Sequence, residues 1–353
     1  MPGGRVESEI SHLSLLTQRM RQKEVKMKPV LYFVIPCYNE EETLPVTFPV
    51  FLKKLMQLEQ GGKIHRNSRI LFVDDGSTDK TWNLIQEYTK REACVAGLLQ
   101  SRNRGQQSSI LAGLMEALKY ADLAVTMDCD GQDDIEAVDR MLKEYEKGVD
   151  IVYGVRSDRG PDRFGKKAGA KLFYSVMHWM GAETIAQHGE FRLVSARVLK
   201  ALSDFKEVNL FLRGIFPLVG FKSTSIYYER KERAAGKTHY TLKKMLRLAA
   251  DGITGFTIRP IRIITFLGIG ISVFGFLSVI WAVLMYFLGR TVDGWASMMC
   301  ITAFLGGIQL LSLGIIGEYI GKIYLEAKGR PRYIIAEKAG EEHLKKKGTD
   351  KSG

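Results

Sequence analysis

Asp128 and Asp130 stand two residues apart behind a β-rich apolar run, Leu123 to Met127, and Gln132 follows two residues later. Oxygen donors in this spacing suit a hard cation, Mg²⁺ or Mn²⁺. A cation there that bridges a diphosphate would neutralise the charge developing as a nucleoside diphosphate leaves. The plainer reading is an acidic turn that caps a helix beginning near Asp134. A second cluster, Asp74-Asp75-Gly76-Ser77-Thr78-Asp79, follows Ile70 to Val73. Its carboxylates could accept from a base or ribose while Gly76 permits a tight turn. Ser77, Thr78 or Asp79 would equally serve as a helix cap. A third cluster, Pro36-Cys37-Tyr38-Asn39-Glu40, follows Val30 to Ile35. Tyr38 offers a ring for stacking and Glu40 an acceptor, although Glu40 also suits the first turn of a helix.

Positioning these clusters requires a sheet. The runs Val30 to Ile35, Ile70 to Val73, Val95 to Leu99, Leu123 to Met127 and Ile151 to Tyr153 are short and apolar, and helix-compatible stretches separate them. That alternation predicts βαβ units in an α/β domain with a mostly parallel sheet. Ligands of such sheets gather at the carboxyl ends of the strands, where all three polar clusters fall.

No charged residue occurs from Ile263 to Leu288 or from Trp295 to Gly317. Each run is long enough to cross a hydrocarbon core of about 30 Å, which predicts transmembrane helices at about 263–288 and 295–320. Lys243, Lys244, Arg247, Arg259 and Arg262 precede this hairpin, and Lys322, Lys328, Arg330 and Arg332 follow it. The connection holds only Arg290 and Asp293. The positive-inside tendency places both flanks, and with them the α/β domain and both termini, in the cytosol. The expected organisation is a tail or mis-assigned start over 1–28, the α/β domain over 29–240, an amphipathic juxtamembrane segment over 241–260, the hairpin over 261–322 and a cytosolic segment over 323–353. A solvated helix packed on the α/β domain fits the 241–260 stretch almost as well. Residues beyond Lys338 read as a disordered tail.

Composition narrows the classes further. An apolar fraction of 46% over 353 residues supplies a packed core. The net charge of +12 would suit nucleic acid, but no Cys/His finger spacing or aromatic ribonucleoprotein-type motif accompanies it. Membrane surfaces and sugar diphosphates are polyanions too, so the charge points there. Cys37, Cys94, Cys129 and Cys300 form no CxxC pair, which predicts reduced cytosolic thiols. Residues 1–28 lack the apolar run of a secretory signal.

Taken in order, the three clusters resemble the inverting glycosyltransferase family two. Ser101-Arg102-Asn103, Tyr153-Gly154-Val155-Arg156, Gly189-Glu190-Phe191-Arg192-Leu193 and the stretch from Arg233 through Gly236 and Thr238 to His239-Tyr240 resemble its polyprenyl-phosphate branch, the bactoprenol glucosyltransferase and dolichyl-phosphate mannosyltransferase group. With the hairpin and Arg330-Pro331-Arg332-Tyr333-Ile334, the likeness spans roughly residues 28 to 335. The resemblance implies a GT-A fold, a nucleoside-diphosphate sugar donor with UDP-glucose as the first choice, and inverting transfer to undecaprenyl or another polyprenyl phosphate at the bacterial plasma membrane. It implies a divalent metal at Asp128, Asp130 and Gln132, and nucleotide-sugar contacts from Pro36, Tyr38, Glu40, Asp74, Asp75 and Asp128. Asp130, Arg156 and Glu190 are its catalytic candidates. The sequence departs from the family at Glu190, where Asp is usual, in the stretch Asp130-Gly131-Gln132, which usually has Leu between and Pro after, and at Thr238-His239, where Ser-Lys is frequent.

A lipid phosphate monoester has a second pKa of about 6 and needs little deprotonation before it attacks. Positive charge beside two polyanions is the greater need. Arg156, Arg159, Arg163, Lys166 and Lys167 form a basic run suited to it, with Arg233 and His239 placed to close over the ligands. A solvated or lipid-facing basic loop is the alternative. Glu190 either orients the nucleophile or supports the sugar, or else it pairs with Arg192 or a neighbouring arginine. A processive polysaccharide synthase would need more membrane helices, and a catalytically silent scaffold would not need the acidic motifs. A small two-helix anchor leaves homo-oligomerisation open.

Overall fold

The computed structural model describes residues 28–157, 188–207, 211–229, 259–289 and 294–341. Eight strands form one sheet: β1 (Leu31–Cys37), β2 (Arg69–Asp74), β3 (Val95–Gln100), β4 (Leu123–Thr126), β5 (Ile151–Arg156), β6 (His188–Ser195), β7 (Ser223–Tyr228) and β8 (Ile335–Ala339), in the order β7-β5-β6-β4-β1-β2-β3-β8. Helices α1 (Leu44–Gln60), α2 (Thr81–Arg91), α3 (Gln106–Ala117), α4 (Ala137–Glu146), α5 (Ala196–Ser203) and α6 (Leu212–Leu218) belong to this domain, and α7 (Arg259–Phe287) and α8 (Trp295–Ala327) are the hairpin.

All five strands expected from the apolar runs are present, and most of the strand pairings are parallel, with antiparallel pairings added by β6 and β8. β1–β2, β1–β4, β2–β3 and β5–β7 are parallel, whereas β4–β6, β5–β6 and β3–β8 are antiparallel. The inserted β6 and the edge strand β8 arrive from distant parts of the chain, and spacing between neighbouring runs carries no record of them.

β1 is buried at every position because helices cover both faces of the sheet, as a continuous apolar strand requires. One face packs Phe33, Ile35 and Phe72 against Phe48, Phe51 and Ile85 from α1 and α2 and Met141 from α4. The other packs Tyr32, Val34 and Val73 against Leu111 and Leu114 of α3, with Val198 of α5 and Phe216 of α6. Gly113 lets α3 lie flush on the sheet, since a Cβ there would come within 2.4 Å of Val34 Cγ1 and 2.9 Å of Val73 Cγ2. That contact fixes where the first residues of α3 meet the strand ends.

Helices α7 and α8 run for 29 and 33 residues, each more than about 40 Å at 1.5 Å per residue. The windows Arg259–Met285 and Phe304–Ala327 are long and apolar enough to cross a membrane, and among the described residues none in either is buried by protein. Phe266, Phe274 and Phe287 are among the outward-facing side chains. So large an exposed apolar surface calls for a lipid environment. Beyond α8 the structure corrects the disordered-tail expectation at Ala339, Gly340 and Glu341. Ala339 closes β8 opposite Gly97, and Lys338 lies opposite Leu98, where the backbone hydrogen bonds of the ladder offset the cost of ordering a charged segment.

Candidate active site

The loops after β1 and β2 are sewn together by side chains. Asn39 adopts φ +53°, a left-handed conformation that Asn tolerates better than most residues. Its backbone N–H donates to Ser77 Oγ at 2.9 Å, and its Oδ1 accepts from Thr78 N at 2.9 Å. The Glu40 and Glu41 amides donate to Thr81 Oγ1 and Asp79 Oδ2. Ser77 and Thr78 are therefore engaged by the neighbouring loop, while Asp79 also accepts from Thr81 N at the start of α2. Tyr38 is exposed at the rim, whereas Pro36 is buried within β1.

Asp74 and Asp75 are both buried, yet they are used differently. Asp74 Oδ1 accepts from Ser77 N at 2.7 Å, while its buried Oδ2 has no partner among the described residues. Asp75 Oδ1 accepts from Arg104 N at 2.8 Å and Gln100 Nε2 at 3.1 Å, and its Oδ2 accepts from Gly105 N at 2.8 Å. Burial pushes both carboxyls upward despite these hydrogen bonds. Gly76, at φ +70°, has the backbone of Arg102 and Asn103 directly above it, 2.7–2.9 Å from where a Cβ would lie.

Across the sheet, Asp128 and Asp130 leave the end of β4. Asp128 Oδ1 accepts from Gln106 Nε2 at 2.7 Å, and Arg156 Nη2 stands 3.9 Å from its Oδ2. Asp133 holds this loop from behind: its Oδ2 accepts from Asp128 N at 3.1 Å and its Oδ1 from the Tyr228 hydroxyl at 2.6 Å. Gln132, itself buried, donates its backbone N–H to Asp130 Oδ1 at 3.1 Å. Burial, then the charges of Asp133, Asp130 and Glu190, push the Asp128 carboxyl up to about 7 against the pull of Arg156. Such a cluster is short of positive charge, and its hard oxygen donors fit a divalent cation. Among the described residues no three acidic, imidazole or thiol side chains form a metal cage. Asp128, Asp130 and Gln132 are the residues whose oxygens would be offered to such an ion.

Glu190 occupies β6 beside this loop. Its Oε2 accepts from Arg192 Nη2 at 2.6 Å, and its Oε1 accepts from Arg213 Nε at 2.7 Å and Gln107 Nε2 at 2.8 Å. Burial alone would raise its pKa, but Arg192, Arg213 and Gln107 together bring it down to about 2. The pairing with Arg192 and a neighbouring arginine, one of the alternatives left open by the sequence, is present. Arg192 is fully buried, with the Phe216 ring 4.6 Å from its guanidinium carbon. Arg213 is half-buried at the surface of α6.

The structure thus gathers Tyr38, Glu40, Asp74 and Asp75 on one side and Asp128, Asp130, Gln132, Arg156 and Glu190 on the other, all at the carboxyl edge of the sheet. Arg159, Arg163, Lys166, Lys167, Arg233 and His239 lie outside the described residues, as do the segments 1–27 and 230–258. Sequence reasoning missed Gln106, Gln107, Asp133, Arg213 and Tyr228. Asp133 was legible as the next acid in the Asp128–Gln132 run, and Gly105 before a helical stretch could have marked the glutamines. Arg213 and Tyr228 had no local signal, because only folding brings them to Glu190 and Asp133.

With this geometry the class of the protein is clear: the chain belongs to glycosyl transferase family 2, whose model matches residues 32–203, and it is a glycosyltransferase. Residues 259–323 match the GtrB C-terminal hairpin. The chain is 46% identical to the uncharacterized glycosyltransferase YkoT of Bacillus subtilis (strain 168), covering 87% of this chain and 91% of that one. It is 36% identical to the bactoprenol glucosyl transferase of Shigella phage SfX, over 86% of this chain and 97% of the relative. A prophage bactoprenol glucosyl transferase homolog of Escherichia coli (strain K12) is likewise 36% identical, over 86% and 97% of the two chains.

Proposed function

We propose that this enzyme transfers a hexose, glucose being the first choice, from a nucleoside diphosphate to a polyprenyl phosphate at the cytosolic face of a bacterial plasma membrane, with inversion at the anomeric carbon. The observation that carries this reading is the continuity of the chain: the sheet whose edge bears the acidic site runs into a lipid-exposed hairpin and receives the chain back as β8. On this reading both ends of the hairpin lie on the same side of the membrane as the acidic site, where a lipid phosphate would present itself. Arg259 and Arg262 on one flank and Lys322, Lys328, Arg330 and Arg332 on the other favour the cytosolic side.

Each described residue then takes a part. The unpartnered Asp74 Oδ2 accepts an imide or amide N–H of the base, and Tyr38 offers its exposed ring for stacking. Asp128, Asp130 and Gln132 are the residues that would hold Mg²⁺ or Mn²⁺. When bound, that ion supplies charge neutralisation to the leaving diphosphate. Arg156, kept beside Asp128 by Tyr228, adds a fixed positive charge near the same phosphates. Glu190 stays ionised at working pH and positions Arg213, whose guanidinium offers positive charge toward the acceptor phosphate. The acceptor, already dianionic, attacks without a protein base.

The test is incubation of purified full-length protein with labelled UDP-glucose, UDP-N-acetylglucosamine and GDP-mannose, Mg²⁺ or Mn²⁺, and undecaprenyl phosphate. Labelled lipid from one donor is expected. A long polymer would replace this reading with a processive synthase, and no product from any donor would overturn it.

A further inference from the structure

Chain leaving the membrane does more than end at the sheet edge. Seven residues separate Ala327, the last of α8, from Ile335, the first of β8. β8 then pairs with β3 through Gly97 opposite Ala339, Leu98 opposite Lys338, Leu99 opposite Glu337 and, past an irregularity, Gln100 opposite Ile335. One further bond carries this pairing out of the sheet: Ser101 N donates to Ile334 O at 2.9 Å. Ser101 opens the loop whose Arg102 and Asn103 backbone covers Gly76, and whose Arg104 and Gly105 amides donate to Asp75. The loop is thus held on one side by Asp75 and on the other by the returning segment.

That segment is itself fixed at several points. Glu337 accepts from Trp82 Nε1 at 3.2 Å and Gln86 Nε2 at 2.7 Å on α2. Lys338 pairs with Glu116 of α3 at 2.9 Å and with Glu341 at 2.8 Å. Arg332 donates to the Phe205 carbonyl. Gly340 sits so close to β3 that a Cβ there would meet Val95 O at 2.7 Å. Covering the edge of β3 against unwanted pairing needs a strand. It does not need the bond from Ile334 to the loop beside Asp75.

We infer that residues 330–341 form a positioning strap, through which the exit of the membrane hairpin holds the 101–105 loop over Gly76 and so sets the nucleotide-binding edge at Asp74 and Asp75. The inference rests on the reading of that edge as the donor site. It adds a role for the segment after the hairpin that anchoring alone does not require. A chain that keeps α7 and α8 but lacks the strap would still insert in membranes yet bind donor poorly. The ordering cost of the loop would then fall on the nucleotide.

Three proteins test this, all purified with their membrane helices: the full chain, a chain ending at Gly329, and full-length Lys338→Glu, which sets a like charge against Glu116 and Glu341. Binding of UDP and of GDP, each with Mn²⁺, is measured by calorimetry, and steady-state kinetics give the donor and acceptor KM. Truncation is expected to weaken nucleotide binding at least tenfold, and a synthetic peptide of residues 330–341 should restore it by adding back the strand. Lys338→Glu should raise the donor KM severalfold with acceptor KM unchanged, whereas damage to folding alone would lower the active fraction and leave both KM values in place. Equal nucleotide affinity in the full and truncated chains overturns the strap alone. If the truncated chain does not fold, an unchanged donor KM in Lys338→Glu overturns it. Failure of the full chain to bind either nucleotide overturns the donor reading and the strap together.

Discussion

Glu190 and Arg192 lie two residues apart on the same face of β6 and pair at 2.6 Å with both side chains shielded from water. A strand places residues i and i+2 on one face, so the pairing follows from the local geometry. Its consequence comes from burial: the carboxylate cannot be released without leaving a guanidinium stranded. Arg213 adds a second cation, and Glu190 is held at about 2. A carboxylate so acidic is a poor proton acceptor near neutrality.

Glu190→Gln should therefore destabilise the protein by about 3–5 kcal/mol, the cost of breaking one half of a buried pair. The sign with pH follows from linkage. The folded pKa of about 2 lies below the ordinary carboxylate value, so the stabilisation is complete above roughly pH 4.5 and is lost as pH falls toward 2. Denaturation of wild type and variant at pH 7, 5, 4 and 3 checks it. A gap that stays constant over that whole range would contradict the ionised-pair account.

Asp74→Asn keeps the shape of the buried side chain and removes the charged acceptor. Nucleotide affinity should fall roughly tenfold to a hundredfold, the equivalent of about 1–3 kcal/mol for one unmade buried hydrogen bond. Calorimetric titration with UDP reads this directly. Unaltered affinity would remove Asp74 from the donor site.

Gly76→Ala forces a Cβ into a left-handed residue and against the backbone of Arg102 and Asn103. The strain should cost about 1–3 kcal/mol of stability, and the displaced loop should raise the donor KM. Thermal melts and initial rates on the same preparation separate the two effects.

Asp130→Ala should abolish metal-dependent transfer while membrane insertion stays normal. Activity in the presence of added Mn²⁺, compared with fractionation of the protein into membranes, supplies both readouts. Retained transfer would exclude Asp130 as a metal ligand.

Hairpin topology is open to direct labelling. In intact cells a membrane-impermeant thiol reagent should modify a Val292→Cys variant, in the connection between α7 and α8, but not Ser352→Cys near the C-terminus. The opposite pattern would invert the proposed orientation.

Much of this was written in local sequence, for a physical reason. Alternating apolar runs and polar strand ends are set by near neighbours, so β1 to β5 and the clusters at residues 36–40, 74–79 and 128–132 could be read directly. The hairpin was equally legible, since long charge-free runs have few fates in water. Site functions that depend on a pair of neighbours also showed: Glu190 and Arg192 were already possible partners in the sequence.

Tertiary structure decided what local pattern cannot encode. It inserted β6 between β4 and β5, turned residues 335–339 into an edge strand, and divided two adjacent aspartates into Asp74, whose Oδ2 has no partner among the described residues, and a loop anchor, Asp75. It also brought Arg213 to Glu190 and Tyr228 to Asp133. These relationships join residues far apart in the chain, and their energies come from burial and charge that exist only once the sheet has closed around them.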